Sequence, residues 1–249
     1  LEAMCTVRNH AHIDVSLKGV AHGTRAHDIA RTYCAERQQG RGADGAPVTL
    51  DRHPDVRNML DEMRALSLLG RGICHLAVVE LEKGEDPALV DFQNTIAQHF
   101  CNEAARRAAD LAIQCLGGYG YLKEYRVEQV WRDARICRIY EGANGIHALT
   151  LATRMLRGPA AVAADRFQAF AKENAAPEDL AQWTRARDAL AAAPDPAEHA
   201  GDFMALSEWL LLRCLAPRFA GHDGQPQIAR FLNRSNHIGA LMSGRIATA

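Results

Sequence analysis

The chain has 249 residues, 48% of them apolar and 24% charged, with a formal net charge of −1. That balance argues against a nucleic-acid binder or an anionic-membrane binder and allows one large domain or two modest ones. No apolar run approaches the roughly 20 residues that span a bilayer, and aromatics at 6% leave the core to small aliphatic side chains, which favours closely packed helices.

The opening, Leu1 to His10, lacks the basic-then-apolar order of a signal peptide. It begins in mid-pattern without a cap, as a piece of a longer chain would. A first helix is expected from about Ala3 to Gln38. Met4, Val7 and Ala11 start one apolar face, and Ile13, Leu17, Val20 and Ala21 another, so this helix should lie between neighbours. Of its histidines, His10 and His12 share no helical face and His22 and His27 do so poorly, and all four read as surface or packing residues. The glycine-rich run from Gly40 to Gly45 breaks the helix.

The second helix should start near His53-Pro54-Asp55 and run to about Leu81 on a stripe of Val56, Met59, Met63, Leu66, Leu69, Ile73 and Leu76. Asp86-Pro87 opens a third, as N-cap and first-turn proline. Its stripe is Phe92, Ile96, Phe100, Ala104, Ala108, Leu111 and Cys115, and Gly117-Gly118 stops it. Two shorter helices follow, about Val127 to Arg138 and Gly145 to Leu156, the latter with Ile146, Leu149, Thr153 and Leu156 inward. No strand is expected. Residues 1–158 thus read as an all-α, up-down helical bundle.

After Arg157-Gly158-Pro159 alanine dominates. Residues 159–249 read as a helical C-terminal extension, with helices near Ala160–Glu173, Pro177–Ala192, Glu198–Ala216 and Pro226–Ile246. The run Trp209 to Leu212 could pack on the bundle or on another subunit, with packing inside the chain preferred. The seven cysteines are scattered singly, without a CxxC pair, and read as small buried hydrophobes in a reducing cytosol. No grouped zinc ligands are visible.

The stretch from Gln114 to Leu149 concentrates glycines, tyrosines and charges between good helices. Gly117 to Gly120 follows a helix rather than a strand, so it is not a Rossmann fingerprint. It reads first as a helix stop whose bare N–H groups could approach a phosphate or an adenine. Glu141 alone would read as a solvated carboxylate. Packed neighbours Ile139 and Tyr140, a following glycine and a following helix instead suggest a partly desolvated general base.

Taken together, Glu36-Arg37-Gln38-Gln39-Gly40-Arg41, His53-Pro54-Asp55-Val56-Arg57, Gln114 to Tyr121, Glu124-Tyr125, Arg132-Asp133-Ala134 and Ile139 to Gly142 resemble the C-terminal helical half of the acyl-CoA dehydrogenase family. The likeness covers about Met4 to Leu156. The helix start after Gly142 and the extra tail resemble a larger bacterial branch, the methylthiopropanoyl-CoA dehydrogenase-like enzymes. The resemblance implies a bundle of that family's type and a cytoplasmic FAD enzyme. A base at Glu141 removes the α-proton of an acyl-CoA, a β-hydride passes to the flavin, and a trans-2-enoyl-CoA results. Tyr140 and Gly142 then lie on the substrate side. Arg37, Gln39, Gln114, Gly117 and Gly118 become FAD contacts, the last three toward the nucleotide of a neighbouring subunit. An electron-transfer flavoprotein and a homodimer or dimer of dimers are the implied partners.

Three positions depart from the family pattern: Ala143 replaces a threonine, Gly145 a glutamine, and His12 an arginine that helps hold CoA. The family's N-terminal helical and middle β-domains are not represented in these residues, so the 249-residue polypeptide is expected to purify colourless. The alternative is a non-catalytic helical module for oligomerisation or partner binding.

Overall fold

The computed structural model describes residues 2–247, and side chains from residue 9 onward. The inward faces expected of Met4 and Val7, and the burial of Cys5, lie outside the described side chains. Helices α1 (Glu2–Glu36), α2 (Pro54–Lys83) and α3 (Pro87–Leu116) form the bundle. Helices α4 (Val127–Ile136) and α5 (Asn144–Ala152) close one side of it. The extension consists of α6 (Val162–Asn174), α7 (Pro177–Ala192), α8 (Ala200–Leu215), α9 (Gln225–Arg234) and α10 (Asn236–Ile246).

The start of α3 follows from its sequence. Asp86 accepts the Leu89 N–H at 3.0 Å and Pro87 fills the first turn, where its missing donor costs nothing. Every residue of the predicted α3 stripe is buried. So are Gln93, Asn94, Gln98 and Asn102 on its other faces, which the neighbouring elements cover. Helix α3 is therefore the axis of the fold. It packs most extensively on α1, and small residues permit that. A Cβ on Gly19 would sit 2.7 Å from the Cys101 carbonyl oxygen, so only glycine lets the two backbones approach so closely.

One strand pair departs from the all-helical expectation. Gln38–Arg41 (β1) and Pro47–Thr49 (β2) form a short antiparallel hairpin across the expected breaker. Its turn is closed by Gly42 N–H on Ala46 O at 2.9 Å, and the His53 ring contacts Gln39 O at 2.7 Å. The expected inner face of α5 is also corrected. Ile146 and Leu149 are exposed, while Asn144, His147, Ala148, Leu151 and Ala152 are buried. The single helix expected from Pro226 is two, broken at Ser235, whose hydroxyl bonds back to Phe231 O at 3.0 Å.

A continuous apolar cluster joins α2 and α3 to the extension. Trp183 is its most voluminous fully buried side chain, packed among Phe92, Phe167 and Phe203. The run Trp209 to Leu212 is buried within this cluster, inside the chain. All six described free cysteines are buried, and the Cys74 and Cys101 sulfurs lie 3.7 Å apart in the core.

Several polar contacts cross between bundle and extension, and one of them carries a titrating group. His99 Nδ1 of α3 lies 2.6 Å from Glu208 Oε1 of α8. Burial opposes charge on His99, but the Glu208 carboxylate outweighs it through attraction and a hydrogen bond, so the pKa is raised above 6.5. The folded pKa exceeds the unfolded one. The pair's contribution is therefore full below about pH 6.5 and lost as pH rises through the raised value. Thermal melts of His99→Gln are expected to lose this component: the melting-temperature gap from wild type should be largest at low pH and shrink as pH rises. A gap that does not vary with pH would contradict it.

Candidate functional site

The loop between α4 and α5 carries Glu141 in a left-handed backbone conformation, φ +54°, unusual for a residue with a Cβ. Gly142 follows at φ +94°, and a Cβ there would lie 2.9 Å from the His147 ring. Two buried amides one turn apart on α3 hold the loop. Gln98 Nε2 donates to Glu141 O at 3.3 Å, and Asn102 Nδ2 donates to Cys137 O at 2.7 Å. Below them the Glu103 carboxylate gathers Arg138 Nη2 at 2.6 Å and Asn144 Nδ2 at 2.9 Å. The side-chain oxygens of Gln98 and Asn102 are buried without a hydrogen-bond partner. An unpaired buried polar atom costs on the order of 1–3 kcal/mol, so the clamp is held against both strain and desolvation.

Gly142→Ala is accordingly expected to destabilise the chain by roughly 1–2 kcal/mol for the left-handed residue alone, and by more where His147 must move. Chemical denaturation measures this, and an unchanged midpoint would contradict it.

Around the loop, Tyr140 is half-buried. Burial, helped by its contact with Cys137 Sγ at 3.5 Å, pushes its phenol up to about 12. The Lys18 ammonium sits 5.8 Å from the Tyr140 ring centroid. The hydrogen bond that Lys18 donates to Asp14 raises the Lys18 pKa, and the Glu141 carboxylate adds attraction, so a cation stands within electrostatic reach of Glu141. Glu141 itself is exposed, beside exposed Ile139, Ile146 and Leu149. The desolvation expected from the sequence is not supplied by these residues. His12 is buried, its ring edge-on to His147 at 5.1 Å, beneath the loop. Ala143 is the N-cap of α5 and offers no side-chain cap, so the missing hydroxyl is also a missing helix cap.

The remaining predicted residues gather at the other end of the bundle, where α1 and α3 both finish. Arg37 lies over the Tyr119 ring at 5.9 Å, and Tyr119 meets Tyr33 and Tyr125. Arg37, Gln39, Gln114, Gly117 and Gly118 are all exposed. Gly117, at φ +59°, and Gly118 have open space where a Cβ would stand. The arrangement is a cationic, aromatic surface with accessible backbone, which suits the edge of a nucleotide rather than enclosing one. From Gln98 to Gln114 along α3 is roughly 24 Å at helical rise. The chain thus brings Tyr140, Glu141 and Gly142 together, and Arg37, Gln39 and Gln114 to Gly118 together, but not the two groups.

The clamp residues Gln98, Asn102, Asn144 and His147 escaped the sequence reading. A polar residue beside an apolar stripe reads as solvated unless the covering helix is known. Among the described residues no three His, Cys, Asp or Glu side chains meet as metal ligands, and no helix is long and apolar enough to cross a membrane.

The family model described as the acyl-CoA dehydrogenase C-terminal domain matches residues 3–156. The 3-methylmercaptopropionyl-CoA dehydrogenase of Ruegeria pomeroyi is 34% identical over 216 residues, which are 78% of this chain and 37% of that protein. The broad-specificity linear acyl-CoA dehydrogenase of Mycobacterium tuberculosis is 32% identical over 162 residues, 58% of this chain and 26% of that one. The chain therefore spans well under half the length of the curated relatives it matches. Among solved structures, an acyl-CoA dehydrogenase from Bacillus anthracis complexed with FAD superposes with a TM-score of 0.66 at 19% identity, over 97% of this chain and 47% of that one. Butyryl-CoA dehydrogenase from Megasphaera elsdenii gives 0.56 at 24%, over 62% and 38%. At such identities the likeness is one of fold. The first extends over nearly the whole chain, the second over less than two thirds of it.

Proposed function

The chain belongs to the acyl-CoA dehydrogenase family, whose C-terminal domain spans residues 3–156, and from that premise we propose that it is the C-terminal part of a flavoprotein that converts an acyl-CoA thioester to the trans-2-enoyl-CoA, with Glu141 as the base. The observation that carries this reading is the Glu141 loop. Its carboxylate is presented outward by a left-handed residue whose carbonyl is fixed from a buried helix. A solvated surface glutamate has no need of such support.

In this reading Glu141 takes the α-proton. Its N–H, which donates to no backbone acceptor among the described residues, is left for the thioester carbonyl and would stabilise the charge developing there. Tyr140 and Gly142 border the substrate, and exposed Ile139, Ile146 and Leu149 offer apolar surface to whatever covers the acyl chain. FAD, when bound, supplies the hydride acceptor. Arg37 and Gln39 would hold its diphosphate and adenine side, and Gln114, Gly117 and Gly118 the nucleotide of another subunit. Acyl-CoA, an electron-transfer flavoprotein and a second copy of the chain are the proposed partners, in the cytoplasm. The division into a bundle, 1–158, and an extension, 159–249, is proposed as well.

A non-catalytic helical module is the second reading, favoured by the exposure of Glu141 and the burial of His12 where a CoA-holding arginine is expected. Anaerobic mixing with acyl-CoAs of several lengths separates the two. A protein carrying this chain with the family's flavin-covering domains should contain FAD, be reduced by at least one acyl-CoA, and yield a product two hydrogens lighter. Flavin that no acyl-CoA reduces would overturn the dehydrogenase reading. The 249-residue polypeptide alone is expected to be colourless.

A further inference from the structure

A second cleft lies away from the Glu141 loop and has no part in the dehydrogenase reading. Between α2 and the short 3₁₀ turn Ala216–Phe219 after α8 lies a cleft of about 330 Å³. That is at the small end of ligand pockets, which run from about 300 Å³. Its floor is aliphatic and aromatic: Leu68 and Leu76 from α2, Leu215 and Phe219 from the extension. Its rim carries Arg71 and His75 from α2, facing Arg218 and His222. Among the described residues no acidic side chain lines it.

The wall is fixed rather than incidental. Gly72 sits in the middle of α2, where glycine costs about 1 kcal/mol against alanine. A Cβ there would lie 2.9 Å from Phe219 Cζ, so the glycine is what lets the Phe219 ring rest on the helix. A Cβ on Gly224 would likewise run into Leu68. The loop after Phe219 is closed by His222 N–H on Phe219 O at 3.0 Å and Gln225 N–H on His222 O at 2.9 Å. Arg64 pins it to α2 through Asp223 at 2.8 Å.

The two rim arginines have no carboxylate partner among the described residues. Arg71 and His75 make no ion pair or hydrogen bond among the described residues, and Arg218 reaches only the Asn174 amide oxygen, at 3.3 Å. The nearby carboxylate, Asp223, is bonded to Arg64 and lies 3.1 Å from His222 Nδ1. The Gly224 N–H also donates to that Nδ1, at 2.9 Å, which assigns the ring proton to Nε2. Two guanidinium groups and two imidazoles therefore face one apolar cleft with no anion between them. Arginine's planar fork matches a carboxylate. The floor has no polar group to satisfy, which selects an aliphatic body.

We propose that this cleft binds a small aliphatic carboxylate, its head between Arg71 and Arg218 and its tail on Leu68, Leu76, Leu215 and Phe219. Isothermal titration of the whole chain tests it with three probes: sodium octanoate, octanol and inorganic phosphate. Octanoate should bind saturably at one site, at least roughly tenfold more tightly than octanol, which lacks the charge, or phosphate, which lacks the tail. Arg71→Ala and Arg218→Ala remove exposed side chains and should leave thermal unfolding unchanged. Each should weaken octanoate by about tenfold, and added salt should weaken it in the wild type. Phosphate or octanol binding as tightly as octanoate, no saturable octanoate binding, or full binding by the double arginine variant would each overturn the proposal.

Discussion

Glu141→Gln, made in a form of the protein that holds its flavin, is expected to lower turnover with acyl-CoA by roughly 10²–10⁴-fold, while flavin content and thioester affinity stay near wild type. Glutamine has nearly the same shape but cannot accept the α-proton. The loop should survive the change, because nothing in its support uses the carboxylate. The Gln98 side chain holds the backbone oxygen of residue 141, Asn102 holds Cys137 O, and the Asn144 N–H bonds Arg138 O at 3.1 Å. Stopped-flow flavin reduction separates the steps: binding should persist and reduction should stall. A variant that reduces its flavin within a few-fold of the wild-type rate would remove Glu141 from the role of base. A variant that has lost its flavin would instead contradict the expectation that the loop survives the change.

The sequence disclosed this glutamate more clearly than its support. Helix α3 was readable because its start, stripe and stop are local signals: Asp86-Pro87, the three-and-four spacing from Phe92 to Cys115, and Gly117. Glu141 was conspicuous by its neighbours in the chain. The clamp was not, because Gln98 and Asn102 become buried only when the loop after α4 and the neighbouring helices lie across them. The same cause explains the reversed face of α5. Its aliphatic residues Ile146 and Leu149 point outward, and polar Asn144 and His147 point in to meet Glu103 and the Gly142 turn. Periodicity finds a helix, but which side is inside depends on what waits there. The hairpin after α1 was hidden by glycines that read as a breaker, and the break at Ser235 by a pattern that continues on both sides of it.

Ala143 and His12 show how a departure from a family pattern acquires physical content. At the N-cap of α5 an alanine leaves the first-turn N–H groups without the side-chain acceptor a threonine would offer. A bulkier cation at position 12 would have to enter the buried space that the His12 ring shares with His147. The second departure is thus matched by packing in this chain. The first is compensated by no side chain and leaves the loop to be held from α3.

Trp183→Ala is expected to destabilise the chain by about 4 kcal/mol, the usual scale for deleting a large buried aromatic. That is a large fraction of the roughly 5–15 kcal/mol that holds a domain together. Trp183 is fully buried among Phe92 of α3, Phe167 of α6 and Phe203 of α8, and its Nε1 donates to Ser207 Oγ at 2.9 Å. Removing the ring opens a cavity where bundle and extension share one core and strands a buried hydroxyl. Trp183→Phe keeps an aromatic ring but not the N–H, and should cost less, about 1–2 kcal/mol. Because Phe92 belongs to the central helix, the loss should appear in one cooperative transition when urea unfolding is followed by far-ultraviolet circular dichroism. Two transitions, with only the earlier one shifted, would mean that the extension folds apart from the bundle. A loss below about 1 kcal/mol would mean that this aromatic cluster does not join them.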